Sequence, residues 1–474
     1  MKILFAAAEA YPFASTGGLS GVTGSLPVAL ERAGHDVSLI MPFYRDIRNL
    51  DNYEWDKTQF STSAGEKFGL ARTVFPRSNV PVYLVSKDEY FDRPGIYCTS
   101  DGEAYSDSVS RYGFFCRAVV SFQENLEKTP DILHCHDWQT GLVPAYVRNF
   151  RKPAVVFTVH NMHYQGNFSP EEFSTTFLPW SLYTVDGLEY FGTFSFLKSG
   201  IVFSDYITTV SSSYAKEIQT PPFGENMDGL FRRRSNSLTG ILNGIDYEVW
   251  DPSNDSSIAA NYSARSIGPR KICRNELIKR HNLKYNPDGM IIGIVSRFTG
   301  QKGLDLLFPI VGKLIREGLN FVILGTGEKQ YMEKFKKLSK KNPGKVSVTL
   351  DYNEEMARSI FAGCDLFVMP SRFEPCGLAQ MMAMRYGAVP LVRKTGGLAD
   401  TVIDEKDNGF GFVFDDADPD ELLRAVLRAK GLFENRRKWT WLKKKCMKQD
   451  NSWNNRAEPY KQIYKKAIDV RRER

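Results

Sequence analysis

Two cations on a glycine-rich turn are the strongest candidates for chemistry in the second half of the chain. Arg297 and Lys302 belong to the run Ser-Arg-Phe-Thr-Gly-Gln-Lys-Gly, which follows an apolar segment typical of a buried strand. This arrangement fits a diphosphate, because a guanidinium offers a bidentate pair of donors and an ammonium a point charge. A pair of surface cations is the alternative interpretation, and both stay open on this motif alone.

A carboxylate follows a later apolar segment. Glu374 lies in the run Pro-Ser-Arg-Phe-Glu-Pro-Cys-Gly-Leu, at the predicted end of a strand, where it is well placed to hydrogen-bond sugar hydroxyls. Gly377 and Leu378 precede a predicted helix, whose first backbone amides suit a phosphate. Cys376 resembles a nucleophile, but no activating partner adjoins it in sequence, so we do not expect a catalytic thiolate.

A second glycine-rich turn lies near the N-terminus. Gly17 and Gly18 stand between a predicted strand and a predicted helix, in the run Ser-Thr-Gly-Gly-Leu-Ser-Gly. Glycines let a ligand approach the backbone closely, and the start of the helix suits a phosphate. A plain strand-to-helix turn explains the same residues equally well. The spacing is not Gly-x-Gly-x-x-Gly, which disfavours a dinucleotide site and a nicotinamide oxidoreductase.

Histidines end two further strand candidates in the first half. In Ile-Leu-His-Cys-His-Asp-Trp, His134 and His136 share one face of a strand, but no third ligand completes a known zinc spacing. We therefore favour a polar contact through Asp137 over a metal site. His160 begins the loop after the next strand and can donate a hydrogen bond to a sugar hydroxyl or a developing charge. A lone histidine is more often satisfied in packing, but polar residues after it favour function: Asn161, Tyr164 and Gln165.

Two series of alternating strands and helices must position these motifs. The strand candidates are 2–8, 37–41, 80–85, 132–135, 154–159 and 206–210, and then 290–296, 320–324, 346–349, 366–369 and 389–392. Helix candidates lie between most of them, including 20–32 and 304–317. This alternation predicts a doubly wound α/β fold with mostly parallel sheets, which bind ligands at the carboxyl ends of their strands.

The 474 residues suit roughly two to three domains. Residues 246–270 are polar and irregular, so we expect them to form the interdomain connection. The N-terminal domain is then predicted over 1–245 and the C-terminal domain over 271–450.

Composition excludes several classes of protein. The chain is 42% hydrophobic and has a formal net charge of +7, which rules out a disordered chain, a collagen-like fibre and a small disulfide-stapled scaffold. The segment from residue 436 onward contains 14 basic and 4 acidic residues. Aromatic residues are interleaved with these charges, which favours packed helices over a nucleic-acid site. The seven cysteines form no Cys-x-x-Cys pair, which suits reduced cytoplasmic thiols and not a zinc ribbon.

Membrane and secretory signals are absent from the sequence. The first apolar run is short and is broken by Glu9, so it predicts a buried strand and not a signal peptide. No apolar stretch approaches the ~18 residues that span a bilayer. We expect a cytoplasmic protein with neither a membrane nor a nucleic-acid partner.

Together the motifs resemble the family of bacterial glycogen synthases and plant starch synthases, which are retaining glucosyltransferases. The resemblance extends along nearly the whole chain and rests on the order of many segments. These include His134-Cys-His-Asp-Trp-Gln, Thr158-Val-His-Asn, Leu197-Lys-Ser-Gly, Gly240-Ile-Leu-Asn-Gly-Ile-Asp-Tyr, Ser296-Arg-Phe-Thr-Gly-Gln-Lys-Gly, Pro370-Ser-Arg-Phe-Glu-Pro-Cys-Gly-Leu and Thr395-Gly-Gly-Leu-Ala-Asp-Thr-Val.

The resemblance implies a GT-B fold, in which two Rossmann-like domains face each other across a cleft. It also implies that the last segment, 451–474, returns to the N-terminal domain. The implied reaction transfers glucose from a nucleotide sugar, ADP-glucose in preference to UDP-glucose, to the non-reducing end of an α-1,4-glucan. The plant members allow a plastid location, but the chain shows no transit peptide.

Residue roles follow from the same resemblance. Arg297 and Lys302 would bind the diphosphate, and Glu374 would hold the glucose hydroxyls with help from His160 and Asn243. The base would lie near one further residue, Tyr352. No cofactor is implied, because cations and helix N-termini can stabilise the leaving phosphate without a metal.

The sequence also departs from the family at three positions. Ser15 and Gly21 replace the Lys and Asp of the usual Lys-x-Gly-Gly-Leu-x-Asp loop, and Ser108 replaces an Asn. Losing one charge-assisted contact costs about 1.5–3 kcal/mol. These departures leave two alternatives open: a non-catalytic paralogue that binds glucan or nucleotide sugar, and a transferase with another donor. Arg45 or Arg48 is a candidate to compensate for the missing cation.

Overall fold

The chain forms two compact units in the computed structural model, which describes residues 1–49, 52–99, 102–284, 286 and 289–473. The first unit comprises Met1–Val210, Ala215–Gly244 and Trp453–Arg474, and the second comprises Ser211–Tyr214 and Ile245–Ser452. Residues 246–270, where we expected an interdomain connection, therefore lie within the second unit. Apolar side chains inside that polar segment explain the difference, because they are buried in the core of the second unit: Ile258 and Tyr262.

Thirteen strands and seven helices lie in the first 244 residues of the described chain. The strands are β1 (Lys2–Ala6), β2 (Asp36–Pro42), β3 (Glu54–Trp55), β4 (Phe60–Ser61), β5 (Lys67–Val74), β6 (Pro81–Ser86), β7 (Ile132–His136), β8 (Ala154–Val159), β9 (Asn167–Phe168), β10 (Glu189–Tyr190), β11 (Thr193–Ser195), β12 (Tyr206–Thr209) and β13 (Leu238–Gly240). The helices are α1 (Gly18–Arg32), α2 (Asp88–Phe91), α3 (Ser108–Glu124), α4 (Val143–Tyr146), α5 (Phe196–Phe203), α6 (Ser212–Glu217) and α7 (Asp228–Arg233).

The main sheet of the first unit has the strand order β13-β12-β8-β7-β1-β2-β6-β5-β3, with β4 paired to β5. The strands from β13 to β6 are parallel, and β5 pairs antiparallel with β6. After β1 the chain adds β2 and the strands beyond it on one side of β1, and it then returns to add β7, β8, β12 and β13 on the other side. This reversal makes the carboxyl ends of β1 and β7 the expected ligand site of the unit.

The second unit has one parallel sheet with the order β16-β15-β14-β17-β18-β19. Its strands are β14 (Ile291–Val295), β15 (Asn320–Leu324), β16 (Val346–Thr349), β17 (Leu366–Met369), β18 (Val389–Arg393) and β19 (Phe412–Phe414). Its helices are α8 (Arg270–Arg280), α9 (Val311–Arg316), α10 (Lys329–Lys341), α11 (Glu354–Gly363), α12 (Ala379–Arg385), α13 (Gly396–Thr401), α14 (Pro419–Glu434) and α15 (Arg436–Met447). The strand order reverses between β14 and β17, which makes their carboxyl ends the expected ligand site of this unit.

All eleven predicted strands are present, each within two residues of its predicted ends. Their nearly continuous apolar sequence is typical of parallel strands that are covered on both faces. The predicted helix 304–317 is wrong as a single element. A 3-10 turn over Leu304–Leu307 is followed by the short α9. Pro309 stands between the two and lacks the amide hydrogen that a continuous helix needs at that point.

The last helix, α16 (Asn454–Glu473), packs in the first unit. The side chain of Arg471 donates to the carboxylate of Asp205 over 2.8 Å, and both side chains are buried. The hydroxyl of Tyr464 is hydrogen-bonded to Nδ1 of His134 over 2.9 Å. The aromatic residues of the basic C-terminal segment thus include core residues. No helix in the described part of the chain is long and apolar enough to cross a membrane.

Candidate active site

A buried carboxylate holds the glycine-rich turn that follows β1. Glu9 accepts hydrogen bonds from the backbone amide of Thr16, from its hydroxyl over 2.8 Å, and from the hydroxyl of Tyr97. A Cβ added to Gly17 or Gly18 would meet no atom within 4 Å, so the outer side of the turn is open. Sequence reasoning missed Glu9 as a site residue, although a single acid in an apolar run was the available signal.

Asp137 and the backbone of His160 join the loops after β7 and β8. Asp137 has a positive φ of 56°, and its Oδ1 accepts a hydrogen bond from the His160 amide over 2.7 Å. Burial raises the pKa of Asp137 to about 7. We expected Asp137 to contact a ligand, but the structure uses at least one of its oxygens to hold the neighbouring loop.

The imidazole of His160 is hydrogen-bonded to a second imidazole, that of His136. Its Nε2 lies 2.9 Å from Nδ1 of His136, and His136 stacks against Phe5 with the rings 13° from parallel. Desolvation by burial lowers the pKa of His160 to about 3 and that of His136 well below its ordinary value. Both rings are therefore neutral at physiological pH and act through hydrogen bonds. In the described residues no group of three or more metal-ligating side chains is found.

Asn243 lies three residues beyond the end of β13, and its side chain is buried. No described residue donates a hydrogen bond to its Oδ1. A buried acceptor without a protein partner carries a desolvation cost, which a donor on a ligand can offset. Asn243, His160 and the open glycine turn all follow strands of the first unit's sheet.

In the second unit, an ion pair joins the loops after β14 and β17. Nζ of Lys302 donates to Oε2 of Glu374 over 2.6 Å, and 14% and 7% of the two side chains are exposed. Ser371 donates to the same oxygen over 3.0 Å. The backbone is compact here because Gly303 has a φ of +62° and approaches closely. A Cβ at that position would lie 2.0 Å from the carbonyl oxygen of Pro370.

The structure thus brings two predicted residues into direct contact, and it adds Ser371, which lay unrecognised inside a quoted motif. Arg297 lies two residues after β14, at the start of the loop that carries Lys302, and is exposed, so its guanidinium can reach a ligand. Tyr352, beyond β16, is 79% exposed. It lies on the surface of the second unit.

The loop after Glu374 turns sharply into α12. Gly377 adopts a φ of +73°, and Leu378 immediately precedes the seven residues of α12. Cys376 is buried, and a Cβ added to Gly397 would lie 2.2 Å from its carbonyl oxygen. The packing of these two segments gives Cys376 a structural role.

The structure also shows the surroundings of Ser15, which replaces the usual Lys of the family. Ser15 is exposed, and its hydroxyl lies 2.6 Å from that of Ser20. The two arginines that we considered as replacements for the missing cation are already engaged. Arg45 donates to Asp92 over 2.8 Å, and Arg48 donates to Asp88 over 2.6 Å.

Comparison with known proteins agrees with this arrangement. The family model described as "Starch synthase catalytic domain" matches residues 2–233, and that described as "Glycosyl transferases group 1" matches residues 275–442. The chain is 42% identical to a glycogen synthase from Geotalea uraniireducens, with 99% of each chain covered. This chain belongs to the glycogen and starch synthase family. It is also 42% identical to glycogen synthase 2 from Geobacter sulfurreducens, with 100% of each covered.

Solved structures extend the comparison to the fold. The chain is similar to the catalytic domain of starch synthase IV from Arabidopsis thaliana bound to ADP and acarbose, with a TM-score of 0.91, 30% identity and 99% of each chain covered. Sucrose-phosphate synthase from Thermosynechococcus elongatus, at 16% identity and a TM-score of 0.62 with 99% of each covered, shares the fold. The predicted GT-B fold and glycosyltransferase activity are confirmed.

Proposed function

We propose that this chain is an α-1,4-glucan synthase that transfers glucose from ADP-glucose to the non-reducing end of its acceptor, with retention of configuration. Full-length similarity to glycogen synthases supports the reaction. The ADP in the related starch synthase structure supports the nucleotide. The observation that carries the proposal is the Lys302–Glu374 pair, because it lies where the strand order of the second unit reverses.

The donor phosphates are the natural partners of the cations. Cleavage of the bond between C1 and the phosphate leaves negative charge on the departing diphosphate, and preorganised cations stabilise that charge. We assign this role to Arg297 and Lys302. Lys302 is paired with Glu374, so binding of the diphosphate replaces one anionic partner of the lysine with another.

The sugar is assigned to Glu374. Once Lys302 turns to the phosphates, the carboxylate can accept hydrogen bonds from glucose hydroxyls, and Ser371, which donates to it over 3.0 Å in the structure, helps to orient it. His160 and Asn243 are proposed to hydrogen-bond hydroxyls of the substrate. The exposed ring of Tyr352 is proposed to stack on the base.

Backbone amides are proposed to supply further phosphate contacts. Those of Gly17 and Gly18 flank an open turn, and those of Cys376, Gly377 and Leu378 lead into α12. In both places a phosphate would contact backbone amides and not side chains, because the glycines let it approach the backbone closely.

Retention follows from attack on the face that the phosphate leaves. The 4-hydroxyl oxygen of the acceptor forms a bond to C1 as the bond from C1 to the phosphate oxygen breaks, and the hydroxyl proton passes to the phosphate. This route does not require the pair of carboxylates that glycoside hydrolases use. Exclusion of water during transfer limits hydrolysis of the donor.

We also propose that the synthase works in the cytoplasm. All seven cysteines are free thiols, and six of them are buried. Free thiols persist in a reducing compartment. The synthase interpretation is favoured over a non-catalytic paralogue because the similarity to glycogen synthases spans the whole chain.

Incorporation of labelled glucose into glycogen from ADP-glucose and, separately, UDP-glucose tests the proposal. The wild-type protein is expected to use ADP-glucose. Lys302→Ala is expected to lose about ten-fold or more in kcat/KM, because one charge-assisted contact is removed. Lys313→Ala, on an exposed position of α9, is the matched control and should retain activity. Absence of transfer from either donor by a folded protein would overturn the proposal.

A further inference from the structure

His160 has a buried histidine neighbour in the first unit, His136. His136 is fully buried at the carboxyl end of β7, and its only described polar contact is the 2.9 Å hydrogen bond from Nδ1 to Nε2 of His160. Its other nitrogen, Nε2, is buried and has no partner among the residues that the structure describes. The two nitrogens therefore have very different surroundings.

This asymmetry decides which nitrogen of His136 carries the proton. In a neutral imidazole one nitrogen donates and the other accepts. A buried donor without an acceptor is rarer in folded proteins than an under-satisfied acceptor. Phe5 does not supply a π acceptor, because its ring is nearly parallel to that of His136 and the imidazole N–H lies in the ring plane. The proton accordingly belongs on Nδ1.

We propose that His136 is a positioning residue that fixes the tautomer and orientation of His160. With its proton on Nδ1, His136 donates to Nε2 of His160, so the only proton of the neutral His160 ring is on Nδ1. His160 is thereby prepared as a hydrogen-bond donor through Nδ1, in a defined orientation. This role in catalysis rests on the proposed function, whereas the tautomer itself is a property of the free protein.

The surroundings of the pair support a fixed arrangement. The His160 amide is held by Asp137 over 2.7 Å, which limits movement of the backbone. The His136 ring packs against Phe5 and His134, with centroid distances of 5.5 Å and 4.2 Å, and those two rings are 4.8 Å from each other. Burial keeps both imidazoles neutral, so the hydrogen bond persists through the physiological pH range.

The neighbouring His134 provides a matched control. It lies on the same strand and is equally buried, but it bonds to Tyr464 over 2.9 Å and to Thr158 over 2.7 Å, and not to His160. Replacement of His134 should therefore affect stability without changing the tautomer of His160. His136→Asn keeps an N–H donor near the position of Nδ1, whereas His136→Leu removes it.

The test is nitrogen NMR of the full chain labelled with 15N-histidine, which is tractable because the sequence has only six histidines. The wild type is expected to show protonated Nδ1 and bare Nε2 on His160. His136→Asn should keep that pattern, and His136→Leu should lose it. In turnover, His136→Leu should lower kcat by about ten-fold with a smaller change in KM, and His136→Asn should recover most of the loss. His134→Gln should leave the pattern unchanged.

Two results would overturn the proposal: protonated Nε2 on His160 in the wild type, or equal losses of kcat in folded His136→Asn and His136→Leu. If His136→Leu does not fold, the wild-type and His136→Asn spectra still decide the tautomer. A protein with the expected spectra but without glucose transfer would contradict the proposed function and leave the tautomer assignment standing. Glucose transfer by a protein with protonated Nε2 on His160 would contradict the tautomer assignment and leave the proposed function standing.

Discussion

Replacing Glu374 by alanine separates binding of the sugar from binding of the nucleotide. One oxygen of this carboxylate accepts hydrogen bonds from both Lys302 at 2.6 Å and Ser371 at 3.0 Å. The proposed donor complex gives the same carboxylate to the glucose and Lys302 to the diphosphate. Glu374→Ala should consequently remove most turnover while ADP binding is preserved.

The magnitudes follow from the contacts. Each charge-assisted hydrogen bond to a sugar hydroxyl contributes about 1.5–3 kcal/mol, so the loss of one lowers kcat/KM by about 10-fold to 150-fold. The attraction between Lys302 and Glu374 at 2.6 Å is about 6 kcal/mol at an effective dielectric constant of about 20, and desolvation offsets much of it. Because that ion pair competes with the phosphates for Lys302, ADP affinity should stay within about three-fold or increase.

Calorimetric titration with ADP and initial rates with ADP-glucose measure the two effects on the same preparations. Glu355→Gln is the matched control, because Glu355 forms an ion pair with Arg280 at 3.1 Å that is exposed and contributes little. Wild-type turnover in Glu374→Ala would refute the sugar assignment. A loss of ADP affinity above about ten-fold in a folded variant would show that Glu374 orients Lys302 for the phosphates and does not compete for it.

Three further perturbations probe other parts of the account. Ser15→Lys places a cation on the exposed turn beside Gly17 and should raise kcat/KM for ADP-glucose by about ten-fold; an unchanged value would mean that the missing Lys is not a defect. Between pH 7 and pH 5 the unfolded chain protonates His160 near its ordinary pKa of 6.5, while burial holds the folded pKa at about 3, so stability falls as pH falls. Urea unfolding measures the drop in the free energy of unfolding from pH 7 to pH 5, and this drop should be about 2 kcal/mol smaller in His160→Asn than in the wild type. Equal drops in the two proteins would contradict the burial argument. Arg471→Leu leaves the buried Asp205 without its cationic partner and should cost about 3–5 kcal/mol in the same assay, whereas Arg472→Leu, whose side chain is 74% exposed, should cost less than about 0.5 kcal/mol.

The parallel strands were predictable because their residues are apolar on both faces and are bounded by polar turns. A run such as Leu366–Met369 has no exposed position, and little besides a covered strand accommodates it. The predicted helix 304–317 overlooked the break at Pro309, although proline interrupts helical hydrogen bonding. The polar segment 246–270 was also misjudged, because its few apolar side chains, Ile258 and Tyr262, are outnumbered in sequence and are decisive only in the core.

The candidate site was predictable as a set of residue types and not as a set of contacts. The motifs contained Lys302 and Glu374 but did not show that these side chains neutralise each other across two loops. Glu9 and His136 act through residues that are distant in sequence, namely Tyr97 for the first and His160 for the second. Such pairings depend on strand order, because neighbouring strands of these sheets are often far apart along the chain.

The central claim is transfer of glucose from ADP-glucose to a glucan, and the products of that reaction test it most directly. Purified protein is incubated with ADP-glucose and maltoheptaose, and the products are analysed by mass spectrometry and proton NMR. We predict chains extended by α-1,4-linked glucose, with one ADP released for each glucose added. Free glucose without chain extension, a β-linked product, or no release of ADP by folded protein would contradict the account.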